Sequence, residues 1–162
     1  MRLLQRNEEC PHFQQNGAMQ LVLEFIATLA AGLFAGAAIY INLVEHPARM
    51  RLDTPNAAAQ WAPSYARATL MQAPLAVIGL LSAAAAWWIG AGTAWLIAGL
   101  LLGAVVPFTF IVIMPTNNRL LDPSRDRGSS ETRALLEHWV RLHAVRSVLG
   151  LSAFVLCAWG GK

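Results

Sequence analysis

The sequence predicts an all-α protein: an integral membrane four-helix bundle that runs up-down-up-down. Three observations predict it. Four apolar runs fill most of the 162-residue chain, each about 20 residues, the length that crosses a bilayer core of roughly 30 Å. Charged residues make up only 13% of the chain, against about 25% in an average soluble domain. The runs also lack the polar residue at every third or fourth position that a soluble bundle would show.

Residues 1–18 are polar and have no helical periodicity. They are expected to be a disordered or mis-assigned extension, with Met19 as a second possible start and the helical domain covering residues 19–162. They are not a signal peptide, because the apolar run after them is too long and leads into a retained polar loop. The first helix is expected at about 21–46, with Glu24 near its start, where the helix dipole favours a carboxylate. Pro47 is expected to end it, since the residue before proline disfavours helix. The second is expected at about 64–89, with Pro63 near its first turn, and the third at about 93–115. The short Gly90–Gly92 connection makes these two an antiparallel hairpin. The fourth is expected at about 136–159. Gly32 with Gly36 and Gly99 with Gly103 form two GxxxG pairs, which let helices approach closely in lipid. Pro74 and Pro107 are expected to bend their helices.

The basic residues are placed asymmetrically. Arg49, Arg51, Arg67, Arg119, Arg125, Arg127 and Arg133 lie in or beside the loops after the first and third runs, whereas Arg2, Arg6 and Lys162 lie at the other side. The positive-inside rule then sets both long loops in the cytoplasm and both termini outside. The net charge of +3 has this topological reason and does not point to nucleic acid. The composition, rich in alanine, tryptophan and arginine, reads as bacterial, which would place the protein in the inner (plasma) membrane. Cys10 and Cys157 lie far apart and form no CxxC motif, which argues against thiol redox chemistry.

Up-down topology brings the end of the first helix, the start of the second, the end of the third and the start of the fourth to one membrane face. Most of the unusual polar residues sit there. Asn42, Glu45 and His46 share a face of the first helix. Trp61, Tyr65, Thr69 and Gln72 form a stripe on the second. The third ends in "PTNNRL" with Asn117 and Asn118, and the fourth begins "HWVRLHAVR", with Trp139, His143 and Arg146 on one face. Arg146 lies about two turns into an apolar run, where an arginine needs a partner or a wet cavity. Glu45 is its expected ion-pair partner.

Each of these residues also has a plainer reading. Trp61, Tyr65 and Trp139 suit interfacial anchors. His46 suits a solvated helix end, and Asn117 and Asn118 a helix cap. His138 and Arg141 read as surface, and the loop arginines, Arg49 among them, as topology determinants. No phosphate-binding glycine loop, HExxH or Ser-His-Asp arrangement is present. A general acid-base site for a lipophilic substrate fits the remaining residues best, with histidine removing a proton and Arg146 holding an oxyanion. A two-histidine-one-carboxylate metal site from His46, His143 and Glu45, a bis-histidine haem, and a non-catalytic protein that binds a lipophilic ligand or a partner helix are the alternatives.

"INLVEHPARM", "MPTNNRL" and "HWVRLHAVRSVLG" together resemble a family of small four-helix membrane proteins whose best understood members are fungal anthrone oxygenases. The Trp-x3-His-x2-Arg pattern is matched by Trp139, His143 and Arg146, the Asn by Asn117 or Asn118, and Glu-His-Pro by Glu45, His46 and Pro47. The resemblance implies oxidation of an anthrone to an anthraquinone by molecular oxygen, with no metal or flavin. On that reading His143, Arg146, His46 and Glu45 are catalytic, and Trp139, Asn42, Asn117, Asn118, Tyr65, Thr69 and Gln72 bind a small lipophilic aromatic molecule. The expected partners are that molecule and membrane lipid. The oligomeric state is left open.

Overall fold

The computed structural model of the protein describes residues 10–160. They form four long helices, and no strand occurs among them. Helix α1 spans Cys10–Tyr40, passes through a π-helical segment, Ile41–Glu45, and ends in a helical turn, His46–Arg49. Helix α2 spans Thr54–Trp88. Helix α3 spans Thr93–Phe108, followed by a second π segment, Thr109–Ile113, and a last stretch, Met114–Leu121. Helix α4 spans Ser130–Gly160.

Packing confirms the up-down-up-down order. On α1 and α4, Phe34 meets Gly150 and Asn42 meets His143, so rising numbers on one helix face falling numbers on the other. The same holds for α1 and α2 (Ala30 with Gly79, Glu45 with Ser64) and for α3 and α4 (Trp95 with Gly160, Asn117 with Trp139). Each helix packs mainly on its neighbours in the chain, and α4 closes the ring against α1.

All four helices are long and apolar enough to cross a membrane. Their outer faces carry large apolar side chains such as Leu21, Leu70, Leu81, Ile111 and Val148. The interior holds His46, Arg49, Gln72, Asn117, His143 and Arg146. This inverts the soluble pattern and suits a lipid surround. One half of the interior is rich in alanine, with Ala27, Ala31, Ala38, Ala76, Ala83 and Ala153 around Phe34 and Leu102. The other half is built on Trp61, Ile113, Leu136 and Trp139 and contains the polar groups.

Several boundaries differ from the sequence expectation, for physical reasons. Helix α1 already includes residues 10–18, which the sequence reading sets outside the domain; the expectation for residues 1–9 lies outside the described residues. Pro47 does not end the first helix. Its missing N–H and its ring disrupt the turn before it, and the backbone answers with a π segment in which the His46 N–H bonds to Ile41 O. Pro115 does the same in α3, where the Met114 N–H bonds to Thr109 O. Both π segments thus end two residues before a proline. Helix α2 starts ten residues earlier than expected, at Thr54 rather than 64, because Asp53 caps it by accepting from the Asn56 N–H at 3.0 Å, with Pro55 in the first turn. Pro63 therefore lies inside the helix. Helices α3 and α4 likewise extend into their loop, to Leu121 and from Ser130.

The glycine pairs are only partly used. A Cβ at Gly99 or Gly103 would press on Leu80, and one at Gly32 on Phe154, but Gly36 faces open space. The tightest approaches that involve α1 and α4 are made elsewhere, at Gly150, where a Cβ would come 2.6 Å from the Phe34 ring. The loop after α1 is tied to the first turn of α4 by Arg133, which donates to the carbonyls of Leu52, at 3.0 Å, and Met50.

Candidate active site

The polar half of the bundle contains a cavity enclosed by α1, α2 and α4. Its walls are Ile41, Glu45, Arg49, Trp61, Ser64, Tyr65, Ala68, Thr69, Gln72, Trp139, His143 and Arg146, and it is tight, with a free volume of about 10 Å³ for a water-sized group. A second, apolar lobe with a free volume of about 70 Å³ lies between α2 and α3, against Phe34, Ala73, Ala76, Val105, Val106, Thr109, Phe110 and Met114. Tyr65, Thr69, Gln72 and Arg146 belong to both. The polar cavity and the apolar lobe therefore share one wall.

Helix α4 supplies the middle of the site. The Trp139 ring stacks on His143, with centroids 4.8 Å apart, and on His46 at 5.9 Å. Its indole N–H donates to Asn117 Oδ1 at 2.9 Å. Trp61 packs edge-on against Trp139 and stacks flat on Tyr65, at 5.1 Å and 4°. Trp61 and Trp139 are thus buried parts of the site, not interfacial anchors. His143 Nδ1 lies 2.5 Å from Asn42 Oδ1, and Asn42 Nδ2 donates to Val140 O at 3.1 Å. Residues of the sequence-predicted set therefore form two layers. Glu45, Tyr65, Thr69, Gln72, Trp139, His143 and Arg146 line the cavity. Asn42, His46 and Asn117 stand behind it, each against a lining ring. Asn118 is not part of the site, because the continued helix Met114–Leu121 turns it outward while Asn117 faces in. Thr69 sits at the exposed rim. His138 and Arg141 are exposed, as expected.

The expected Glu45–Arg146 pair does not form. Glu45 pairs with Arg49, one helical turn away, and accepts from Ser64 Oγ. The π segment moves the Glu45 carboxylate away from α4 and towards α2. Arg49, read from the sequence as a topology determinant, is buried; its guanidinium also donates to Gln60 and sits 3.5 Å from His46 Nδ1. Arg49 and Ser64 line the cavity and the exposed Gln60 accepts from Arg49, and the sequence reading assigns none of the three to the site. The available signal is the Glu-x3-Arg spacing of an i, i+4 pair.

Arg146 is also buried, and it is held differently. It donates to Gln72 Oε1 at 2.6 Å and lies over the Phe34 ring at 5.6 Å. Among the described residues it has no carboxylate partner. Its Nε, Gln72 Nε2, Asn117 Nδ2 and Trp61 Nε1 are buried donors that meet no acceptor in the protein. No group of three or more His, Cys, Asp or Glu side chains among the described residues is arranged to hold a metal ion.

Comparison with known proteins bears on this arrangement. The family model for anthrone oxygenases matches residues 61–156, more than half of the chain and most of the site. The chain belongs to the anthrone oxygenase family. It is 29% identical to an anthrone oxygenase of Aspergillus fumigatus over 154 residues, covering 88% of this chain and 94% of that one. It is 28% identical to an anthrone oxygenase of Claviceps purpurea, over 81% of this chain and 84% of the other. A third, from a Cryptosporiopsis species, is 27% identical over 93% of this chain and 90% of its own. These relatives are fungal, which overturns the bacterial reading of the composition. No solved structure matches the chain.

Proposed function

We propose that the protein is an oxygenase that oxidises a small lipophilic aromatic ketone of the anthrone type at the level of this cavity. Family membership supports the reaction class. The single observation that carries the reading further is Arg146. It is 7% exposed, lines both lobes and has no carboxylate to neutralise it among the described residues. A buried unpaired cation is strongly unfavourable, and inside an apolar run it marks a functional site. What suits it is a negative charge that arrives with, or develops on, the substrate.

The chemistry rests on the residue types. One outer ring of the flat system enters the apolar lobe, and the carbonyl–methylene axis of the middle ring lies along the shared wall, with the carbonyl oxygen at Arg146 and the methylene towards His143. The methylene carbon between the two aryl rings is acidic, because its carbanion delocalises into that carbonyl. His143 takes one proton, and the enolate oxygen is held by Arg146 and the free Gln72 Nε2 donor. The electron-rich carbon then gives electrons to molecular oxygen and forms a C–O bond. The resulting hydroperoxide loses the second C–H proton as its O–O bond breaks, which leaves a new carbonyl and one water. One ketone and one oxygen molecule thus give one quinone and one water. The reading calls on base, oxyanion holder and dioxygen alone. The arginine asymmetry between the loops supports a site on the cytoplasmic side.

Oxygen uptake with a model anthrone tests the proposal. The purified protein should consume one oxygen per quinone formed. Uptake that stays at the spontaneous rate with wild-type protein, or that His143→Ala and Arg146→Ala leave unchanged, would defeat it.

A further inference from the structure

The two nitrogens of His143 are not equivalent, and Asn42 makes the difference. The Asn42 side chain bridges α1 and α4. One end lies 3.1 Å from the Val140 carbonyl oxygen, and the other lies 2.5 Å from His143 Nδ1 and 3.0 Å from Ser147 Oγ. A backbone carbonyl only accepts. The amide nitrogen must therefore face Val140; the reverse orientation would set two acceptor oxygens 3.1 Å apart. That fixes Oδ1 towards His143 and Ser147. An amide oxygen also only accepts, so the proton between it and the imidazole belongs to Nδ1. Nε2 is left with the lone pair.

We infer that Asn42 is a positioning residue, which holds His143 in its Nδ1–H tautomer so that Nε2 is the basic nitrogen. This rests on the proposed role of His143 as base. The hydrogen bond on one ring nitrogen decides what the other one does. The π segment is what makes the placement. Its widened turn leaves Leu43 and Val44 facing outward, at 73% and 51% exposure, and directs Asn42 to α4. Trp139, stacked on the His143 ring, restrains the ring plane but does not distinguish the two nitrogens. Asn42 does. Ser147 donates to the same oxygen, which leaves that oxygen no reason to turn away.

Nitrogen NMR on protein carrying labelled histidine reads the tautomer directly, without substrate. The His143 signals are identified as those lost in His143→Gln. Wild type should show a protonated Nδ1 and a lone-pair Nε2. Ser147→Ala, which leaves Asn42 with its Val140 and His143 partners, should keep that pattern. Asn42→Leu should lose it, with kcat for a model anthrone down on the order of 100-fold and KM little changed. An Nε2–H form in wild type, or an unchanged spectrum in Asn42→Leu, overturns the inference. Should Asn42→Leu fail to fold, Ser147→Ala and wild type still decide, because a neutral Nε2–H tautomer in either is incompatible with it. A His143→Gln variant as active as wild type would instead remove the base role, while the tautomer result stands on its own.

Discussion

Glu45 pairs with Arg49 on its own helix and leaves Arg146, across the cavity, with Gln72 Oε1 as its acceptor. Two buried arginines therefore face one space, and only one of them is neutralised. Removing the neutralising group should be damaging. In Glu45→Gln the Arg49 charge, 1% exposed at its side chain, keeps its burial and loses its counter-ion. The expected loss is about 3 kcal/mol of stability, read from a denaturant titration in detergent. The double variant Glu45→Gln with Arg49→Met should recover most of it, because the stranded charge is gone.

Arg146 should behave in the opposite way. It is buried without a carboxylate among the described residues, so Arg146→Met removes an unfavourable charge and fills the same volume. The unfolding midpoint should stay level or rise. Activity should fall by roughly 100-fold to 1000-fold, the usual effect of losing an oxyanion contact. Stability and oxygen uptake measured on the same sample check both halves. A parallel loss of both would mean that Arg146 holds the fold rather than the substrate.

Much of this arrangement is legible in the sequence. Apolar runs of bilayer length are a one-dimensional signal, and the four helices and their order come directly from it. Trp139, His143 and Arg146 share one face because α4 is regular there, and periodicity describes regular helices well. The failures cluster at Pro47 and Pro115. A π segment adds a residue to the turn, so i, i+4 counting across it misplaces the side chains beyond. Such counting turns Glu45 towards Arg146, and ending the helix at Pro47 leaves Arg49 in the loop. The asparagine pair Asn117 and Asn118 lies just past the second such segment, where only the helix continued to Leu121 settles which of them faces in. Gln60 escapes a reading that starts α2 at residue 64, and the true start depends on the Asp53 cap.

The glycine contacts give a prediction that separates motif from packing. A Cβ at Gly150 would stand 2.6 Å from Phe34 Cδ1, and Phe34 lies under Arg146. Gly150→Ala should destabilise by about 2 kcal/mol through overpacking and should also lower activity, since the displaced ring shifts the arginine. Gly36→Ala, in a GxxxG motif but with nothing within 4 Å, should be neutral or slightly stabilising. Thermal unfolding of the two variants side by side checks the contrast.

The apolar lobe should set which substrates fit. Ala73 is exposed and borders it between α2 and α3. A phenylalanine there takes up space in this lobe, which His143 does not line. For a tricyclic ketone, Ala73→Phe should raise KM about 10-fold, the effect of losing roughly 1.4 kcal/mol of binding, with kcat close to wild type. For a smaller substrate with one ring fewer, the change should be slight. Steady-state oxygen uptake with the two ketones measures the difference. An equal effect on both, or a fall in kcat alone, would place the ring system somewhere other than this lobe.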